Sequence, residues 1–107
     1  MELGRMKQGE IWLLERPNLD PRPALIITRD VAIPVLRYIT VAPISRTVRN
    51  IPTEIHLGPA DSIRIASAAT FDNVATTPKA YLTRRLGAIS DERRHEMCAA
   101  VRASLDC

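Results

Sequence analysis

The segment RPALIITRD, residues 22–30, is the stretch of the sequence that decides its fold. Its centre, residues 24–28, is a short run of apolar and β-branched side chains, and Pro23 and Asp30 lie on either side of it, which is typical of a β-strand. Arg22 precedes the run and Arg29 follows it. The strand is therefore expected to fill a core with its apolar side chains while its ends carry guanidinium groups at the surface.

Prolines divide the chain on both sides of this strand. All eight lie at or before Pro78, so the first three quarters of the chain is cut into pieces too short for long helices. Between these breaks, short apolar or β-branched segments predict five strands, over residues 10–15, 24–28, 38–42, 53–57 and 65–69.

The last quarter of the chain is expected to be helical. Ser90 can cap a helix whose first turn holds Asp91 and Glu92, two acidic residues that favour the positive end of a helix dipole. An apolar side chain then recurs every fourth residue, at Met97, Val101 and Leu105. The pattern predicts a helix over residues 91–104, and residues 79–83 are compatible with a separate helical turn.

A chain of 107 residues with this order of elements is expected to form a single domain over residues 1–107. Five short antiparallel strands followed by one helix favour an α+β, mainly β fold, in which a small curled sheet or barrel is closed by a C-terminal α-helix. The apolar runs fall far short of the roughly 18 residues that a membrane span needs. The charged N-terminus lacks the apolar stretch of a signal peptide, so the expected location is the cytoplasm, with no membrane association.

The basic residues indicate a polyanionic partner. Thirteen of the 15 are arginines, whose planar fork matches phosphate oxygens better than a lysine does. A GC-rich genome would also accumulate arginine codons, so their distribution carries more weight than their number. Between Pro21 and Thr53 lie five arginines and one acidic residue, Asp30, which is the charge pattern of a nucleic-acid-binding surface. Aromatic residues for base stacking are scarce, so contacts to phosphates should dominate.

The order of five segments resembles the MazF/PemK family of bacterial toxins. The segments are QGEIWLLE, RPALIITRD, VAPISRTVRNIPTEIHL, SAATFDNVAT and RRLGAIS, and an amphipathic helix follows them. The likeness runs from about residue 8 to residue 105. It implies an SH3-like antiparallel β-barrel of the CcdB/PemK type, a homodimer, and a metal-independent endoribonuclease that cleaves single-stranded RNA. It also implies a type II toxin–antitoxin system in which an acidic antitoxin of the MazE type silences the toxin.

Arg22 corresponds to the arginine that opens the second strand in this family, and the resemblance implies that it binds the scissile phosphate. When a ribose 2′-hydroxyl attacks the neighbouring phosphate, negative charge builds on the equatorial oxygens, and a pre-placed guanidinium stabilises it. The alternative is a surface salt bridge between Arg22 and Asp20.

Ser45 and Thr47 match the catalytic turn of the family, where many relatives have threonine in place of Ser45. Either hydroxyl could hold a phosphate oxygen or help to protonate the leaving 5′-oxygen, although a hydroxyl-rich turn can also simply cap itself. The other residues expected to contact RNA are Arg29, Arg46, Arg49, Thr70 and Asn73.

Asp72 matches an aspartate that one branch of the family uses as a general base. That branch has an arginine two residues earlier as the acid, whereas this chain has Thr70, so the pair is not carried over intact. Asp72 therefore ranks below Arg22 and Ser45, and the alternative is that it holds a turn or bonds a base.

No metal or other cofactor is expected, because no cluster of cysteine, histidine and carboxylate residues has the spacing of a ligand set. His56 and His95 match no functional position of the family. On one helix Cys98 and Cys107 would be about 13.5 Å apart along the axis, too far for a disulfide, so both are expected to be buried or idle thiols.

Two other functions remain open at this stage. A gyrase-poisoning toxin shares the fold, but it ends in Trp-Gly-Ile, and this chain ends in SLDC. A non-catalytic RNA-binding barrel would need only phosphate contacts, and turnover separates it from an enzyme. The target class (mRNA, rRNA or tRNA) and the cleavage motif cannot be inherited, because the loop RPNLDPR is shorter than in many relatives; Asp20 is a candidate substitute for its missing glutamate.

Overall fold

The computed structural model describes residues 6–106. Over this range the chain forms seven strands and one α-helix: β1 (Glu10–Leu14), β2 (Arg22–Ile26), β3 (Tyr38–Ser45), β4 (Glu54–Leu57), β5 (Ser67–Thr70), β6 (Ala75–Pro78), β7 (Leu82–Ala88) and α1 (Arg94–Leu105). Single 3-10 turns stand at Pro59–Asp61, Phe71–Asn73, Lys79–Tyr81 and Asp91–Arg93.

All strand pairs in the sheet are antiparallel, in the order β4-β5-β3-β2-β1-β7. The eight-residue strand β3 is shared between two parts of this sheet. Along one edge it pairs first with β6, from Tyr38 to Val41, and then with β5, at Ile44 and Ser45, while β2 pairs along the other edge. This change of partner curls the sheet into a half-barrel, which confirms the predicted α+β, mainly β fold class with a C-terminal helix.

Two apolar clusters cover opposite faces of the central strands. Ile11 and Leu25 belong to the first cluster, which also holds Phe71, Met97 and Ala100 and so joins α1 to the sheet. The second cluster contains Trp12 and Ala24 from the same two strands, β1 and β2. Because both faces of these strands are buried, their sequences read as continuous apolar runs rather than as an alternating pattern.

All five predicted strands are present, with shifted ends. The strand predicted over residues 38–42 continues through Pro43 to Ser45, and the one predicted over 65–69 begins at Ser67. Two strands were missed: β6 is only four residues long, and β7 carries three consecutive exposed polar residues, Thr83 to Arg85.

The helical predictions also hold, with corrections at their ends. The predicted helix over residues 91–104 begins as the 3-10 turn Asp91–Arg93, and Ser90 precedes that turn without a side-chain capping bond. The possible turn over 79–83 is the 3-10 turn Lys79–Tyr81. Leu105 does not complete the apolar stripe, since it is 67% exposed.

Cys98 is an exposed free thiol rather than a buried one, and Cys107 lies outside the described residues.

Arg93 fastens the start of α1 to the rest of the fold. Its Nη1 donates to both carboxylate oxygens of Asp61 at 3.0 Å, its Nε donates to Glu96 Oε2 at 2.9 Å, and its Nη2 donates to the backbone carbonyl of His56. Asp61 is buried and also accepts the N–H of Gly58 at 3.0 Å. One guanidinium therefore ties the helix to β4 and to the 3-10 turn before β5.

Among residues 6–106, no helix has the length and the apolar character that a membrane span requires.

The Arg93–Glu96 contact predicts a pH dependence of stability. The hydrogen bond from Arg93 holds the pKa of Glu96 below its ordinary value of 4.5, and the charges of Arg93, His95 and His56 act in the same direction against partial burial. A carboxylate with a lowered pKa contributes stability above its unfolded-state pKa and loses that contribution as the pH falls through the folded-state value. The melting temperature should therefore fall less steeply between pH 5 and pH 3, roughly, in Glu96→Gln than in the unmodified protein. If the melting temperatures of the two proteins fall equally with pH, the Arg93–Glu96 contact is not the source of this pH dependence.

Candidate active site

A groove of about 870 Å³ lies between the start of β2, the end of β3 and the loop that precedes β5. We call it the Arg22 groove. Its lining residues are Asp20, Pro21, Arg22, Pro23, Ile44, Ser45, Arg46, Thr47, Ser62, Ile63, Arg64, Ile65, Ser67 and Leu86. The sequence analysis gives four candidate catalytic residues, Arg22, Ser45, Thr47 and Asp72. The first three lie together on this surface.

The pairing of β2 with β3 brings Arg22 and Ser45 together. Ala24 lies opposite Pro43 in this antiparallel pair, so the same register places Arg22 level with Ser45. Arg22 is exposed, and its side chain makes no hydrogen bond or ion pair with any residue of the 6–106 range, so the alternative salt bridge to Asp20 is not formed. The guanidinium is therefore available to an anion in the groove.

Ser45 and Thr47 form a hydroxyl-bearing turn at the edge of the groove. Ser45 is half-buried, and its Oγ accepts the backbone N–H of Thr47 at 3.0 Å. The turn therefore does cap itself, which was the alternative role for these hydroxyl groups. This bond uses only a lone pair of the Ser45 oxygen. The Ser45 O–H is left to donate to a phosphate oxygen, and the exposed Thr47 hydroxyl stands beside it.

Asp72 lies outside this groove together with Thr70 and Asn73. Its Oδ2 accepts the hydroxyl of Thr53 at 2.6 Å, and Asn73 Nδ2 donates to Thr70 Oγ1 at 3.3 Å. Thr70 is buried, whereas Asp72 and Asn73 are exposed. The contacts fix a 3-10 turn against the start of β4, which is the structural alternative for Asp72; its role as a general base stays a prediction.

The remaining predicted arginines separate into two groups. Arg46 lines the groove next to Ser45. Arg49 lies beyond the groove, with Nη1 4.0 Å from the carboxylate of Glu54, and Arg29 lies past the far end of β2 from Arg22. Of the two arginines that bracket the strand in the sequence, only Arg22 lines the groove.

Glu54 is a site-related residue that the sequence reasoning missed. Its side chain is 1% exposed, and its Oε1 accepts the N–H groups of Arg49 and Asn50 at 2.9 and 3.1 Å, while Oε2 has no hydrogen-bond partner. Asn50 has a positive φ of 56°, a turn conformation that asparagine adopts more readily than most residues. The carboxylate holds the loop that carries Arg46 and Thr47. A lone glutamate in the strand predicted over residues 53–57 was its only signal in the sequence.

The groove is a cationic surface with hydroxyl groups. Arg22, Arg46 and Arg64 line it, with Asp20 as the acidic residue among its lining. Nowhere in residues 6–106 do three or more His, Cys, Asp or Glu side chains stand together as a metal site would require. Guanidinium and hydroxyl donors around one space can bind a phosphodiester and stabilise charge that develops on its oxygens.

Comparisons with known proteins identify the family of the chain. Residues 7–105 match the profile of a family described as the PemK-like, MazF-like toxin of type II toxin-antitoxin system. The probable endoribonuclease MazF5 of Mycobacterium tuberculosis (strain ATCC 25618 / H37Rv) is 38% identical over 101 residues, which cover 94% of this chain and 93% of that protein. The probable endoribonuclease MazF2 of the same strain is 35% identical over 104 residues, covering 95% of this chain and 100% of that protein.

Solved structures of toxins and endoribonucleases share the fold of this chain. The Mycobacterium tuberculosis toxin MazF-mt6 superposes with a TM-score of 0.84 at 31% identity, over 91% of this chain and 96% of that one. An endoribonuclease in complex with its cognate antitoxin, from a mycobacterial species, superposes with a TM-score of 0.82 at 21% identity, over 94% of this chain and 95% of that one, and supports the fold alone. The chain therefore belongs to the PemK-like, MazF-like family of type II toxin–antitoxin toxins.

Proposed function

We propose that this protein is an endoribonuclease toxin that cleaves single-stranded RNA at specific sequences and so inhibits translation and growth. The observation that carries the proposal is the unpaired guanidinium of Arg22 at the level of the Ser45 hydroxyl in one groove. The names of the two mycobacterial relatives, both probable endoribonucleases, support it.

The reaction follows from the groups available. The RNA supplies its own nucleophile, the 2′-oxygen next to the scissile phosphate, and the bond from phosphorus to the 5′-oxygen breaks as the new bond forms. Arg22 stabilises the charge on the phosphate oxygens, and the hydroxyls of Ser45 and Thr47 hold those oxygens or protonate the leaving 5′-oxygen. The products are a 2′,3′-cyclic phosphate and a 5′-hydroxyl. No step requires a metal ion.

Asp72 is the candidate to accept the 2′-hydroxyl proton. Because it lies outside the Arg22 groove and already accepts the Thr53 hydroxyl, we rank it below Arg22 and Ser45 as a catalytic group.

Arg22→Ala should lower the cleavage rate by about 100-fold or more, the scale for removal of one donor that stabilises a transition state. Arg22→Lys should restore little activity, because the ammonium group lacks the bidentate fork. Arg102→Ala, which removes an exposed arginine on α1 away from the groove, is the matched control. The measurement is the single-turnover rate on a long RNA, with circular dichroism of each variant. A normal rate in a folded Arg22→Ala protein would refute the site.

The chemistry also predicts what the substrate must contain. A single 2′-deoxynucleotide on the 5′ side of the mapped cleavage site should block cutting completely, because the nucleophile is gone, and cleavage of the all-RNA oligonucleotide should persist in EDTA. The ends are identified by mass spectrometry. Products with a 5′-phosphate, or cleavage of the deoxy-substituted RNA, would mean that water or a metal performs the attack. Binding without any turnover would favour the non-catalytic barrel.

We propose that an acidic antitoxin of the MazE type controls the protein, as an initially disordered segment that folds onto it and competes with RNA for the arginines. An apolar pocket of about 680 Å³ offers a place for its anchors, and is lined by Pro34, Val35, Leu36, Arg37, Tyr38, Pro78, Lys79 and Ala80. Val35 is 78% exposed there. The two charged lining residues, Arg37 and Lys79, are both basic, so the pocket suits an acidic chain with apolar anchors.

Val35→Glu should weaken the antitoxin complex, because it places a carboxylate in the path of an acidic ligand. Val31→Glu is the control, since Val31 is equally exposed but does not line the pocket. Titration at two salt concentrations should show a weaker complex at high salt. Equal affinities for the two variants, or an antitoxin that is basic or binds without displacing RNA, would contradict the proposal.

We further propose that the active form is a homodimer in the cytoplasm, as the family resemblance implies. Light scattering over a range of concentrations measures the mass directly, and a monomer at all concentrations that support cleavage would exclude the dimer as the active form.

A further inference from the structure

We propose that Arg64 is a second phosphate-binding residue of the Arg22 groove, which binds a phosphate flanking the scissile one. The inference rests on the proposed function, because it needs a single-stranded RNA in the groove. It assigns a role to the loop between Asp61 and Ser67, which no motif in the sequence indicates.

Arg64 lines the groove from a different element than Arg22 and Ser45 do. Arg22 and Ser45 come from β2 and β3, whereas Ser62, Arg64 and Ile65 come from the loop before β5. Arg64 is exposed, and its side chain has no hydrogen bond or ion pair with the part of the chain that the structure describes. Its guanidinium therefore stands at the groove with its donors uncommitted.

The loop that carries Arg64 is held in place. Ser62 adopts the left-handed conformation, with φ 68°, directly after the 3-10 turn Pro59–Asp61. The carboxylate of Asp61 is fixed by Arg93 and by the N–H of Gly58. A Cβ built on Gly87 would lie 2.6 Å from the Cβ of Ser62, so the loop packs directly on the backbone of β7. Ile63 is buried and its N–H donates to the carbonyl of Gly58 at 3.1 Å, so the backbone immediately before Arg64 is anchored.

The size of the groove calls for more than one phosphate contact. Its volume of about 870 Å³ is in the upper part of the roughly 300–1,000 Å³ range of sites for whole drug-sized ligands, so it exceeds what a single phosphate occupies. The exposed Ile65 next to Arg64 offers an apolar surface for a base, in a protein with few aromatic residues. Arg22 at the scissile phosphate and Arg64 at a neighbouring one would fix the register of the strand between them.

The test uses RNA oligonucleotides that contain the mapped cleavage site with a 2′-deoxynucleotide to prevent cutting. Each member of the set carries one neutral methylphosphonate in place of one phosphate. Dissociation constants are measured for the unmodified protein, Arg64→Ala, Arg64→Gln, Arg64→Lys and the control Arg102→Ala, and a melting curve accompanies each variant. The dependence of affinity on salt is measured with the all-phosphate oligonucleotide.

Arg64→Ala and Arg64→Gln should each weaken binding about tenfold, the usual loss for one charge-assisted hydrogen bond, and should lower the salt slope by about 0.7. One methylphosphonate at a flanking position should weaken binding by the unmodified protein but cause no further loss in Arg64→Ala. Arg64→Lys should keep part of the affinity, and Arg102→Ala should bind normally.

Unchanged affinity in Arg64→Ala would overturn the assignment. The assignment would also be overturned if the affinity loss in Arg64→Ala added to the loss from every methylphosphonate. The same holds if the scissile phosphate were the one position at which the methylphosphonate caused no further loss in Arg64→Ala. These outcomes are distinct from failure of the proposed function, which appears as an unmodified protein that cuts no all-RNA substrate.

Discussion

The antiparallel pairing of β2 with β3 is the constraint on which the rest of the structure depends. It sets Ala24 opposite Pro43, buries Leu25 and Ala42 in the core, and brings the first residue of one strand level with the last residue of the other. Strands alternate their side chains, so a slip of one residue would move the apolar set and the groove residues together. The hydrophobic effect that fixes the register of the core therefore also fixes the distance between Arg22 and Ser45. The geometry of the groove is obtained here from apolar burial.

The loop before β5, which also lines the groove, is held by a polar contact in addition to the packing of Ile63 in the core. Asp61 is buried, and removing a partner from a buried carboxylate costs more than the pair gains, so the contact with Arg93 specifies where the loop lies more than it adds to stability. Gly87 provides the matching space on β7, because a side chain there would collide with Ser62. The C-terminal helix thus takes part in shaping the groove although it contributes no lining residue.

Sequence reasoning recovered the strands whose apolar residues form short runs between prolines, and it failed where polar side chains concealed a strand. In β7, Thr83 and both following arginines are exposed, and register shifts against β1 break the alternation that would have predicted a strand. The partnership of Arg22 and Ser45 was found through family resemblance. Pattern alone could not give it, since 23 positions separate them and the pairing register depends on tertiary packing. Arg64 carried no local signal, because it is a lone arginine. Glu54 carried only a weak one, because it acts through backbone N–H groups that a sequence pattern does not show.

The distribution of carboxylates explains why the groove stays cationic. Glu10 is taken by Trp12 Nε1 and Arg85, Asp61 by Arg93, and Glu54 by two backbone N–H groups, so the fold uses these acids to hold its own parts together. The groove keeps three arginines and Asp20, and guanidinium groups that face the same space repel one another in the empty protein. A polyanion removes that repulsion whether it is RNA or an acidic polypeptide. Within residues 6–106, the cationic character of the groove is thus a consequence of acidic side chains that are committed to contacts elsewhere in the fold.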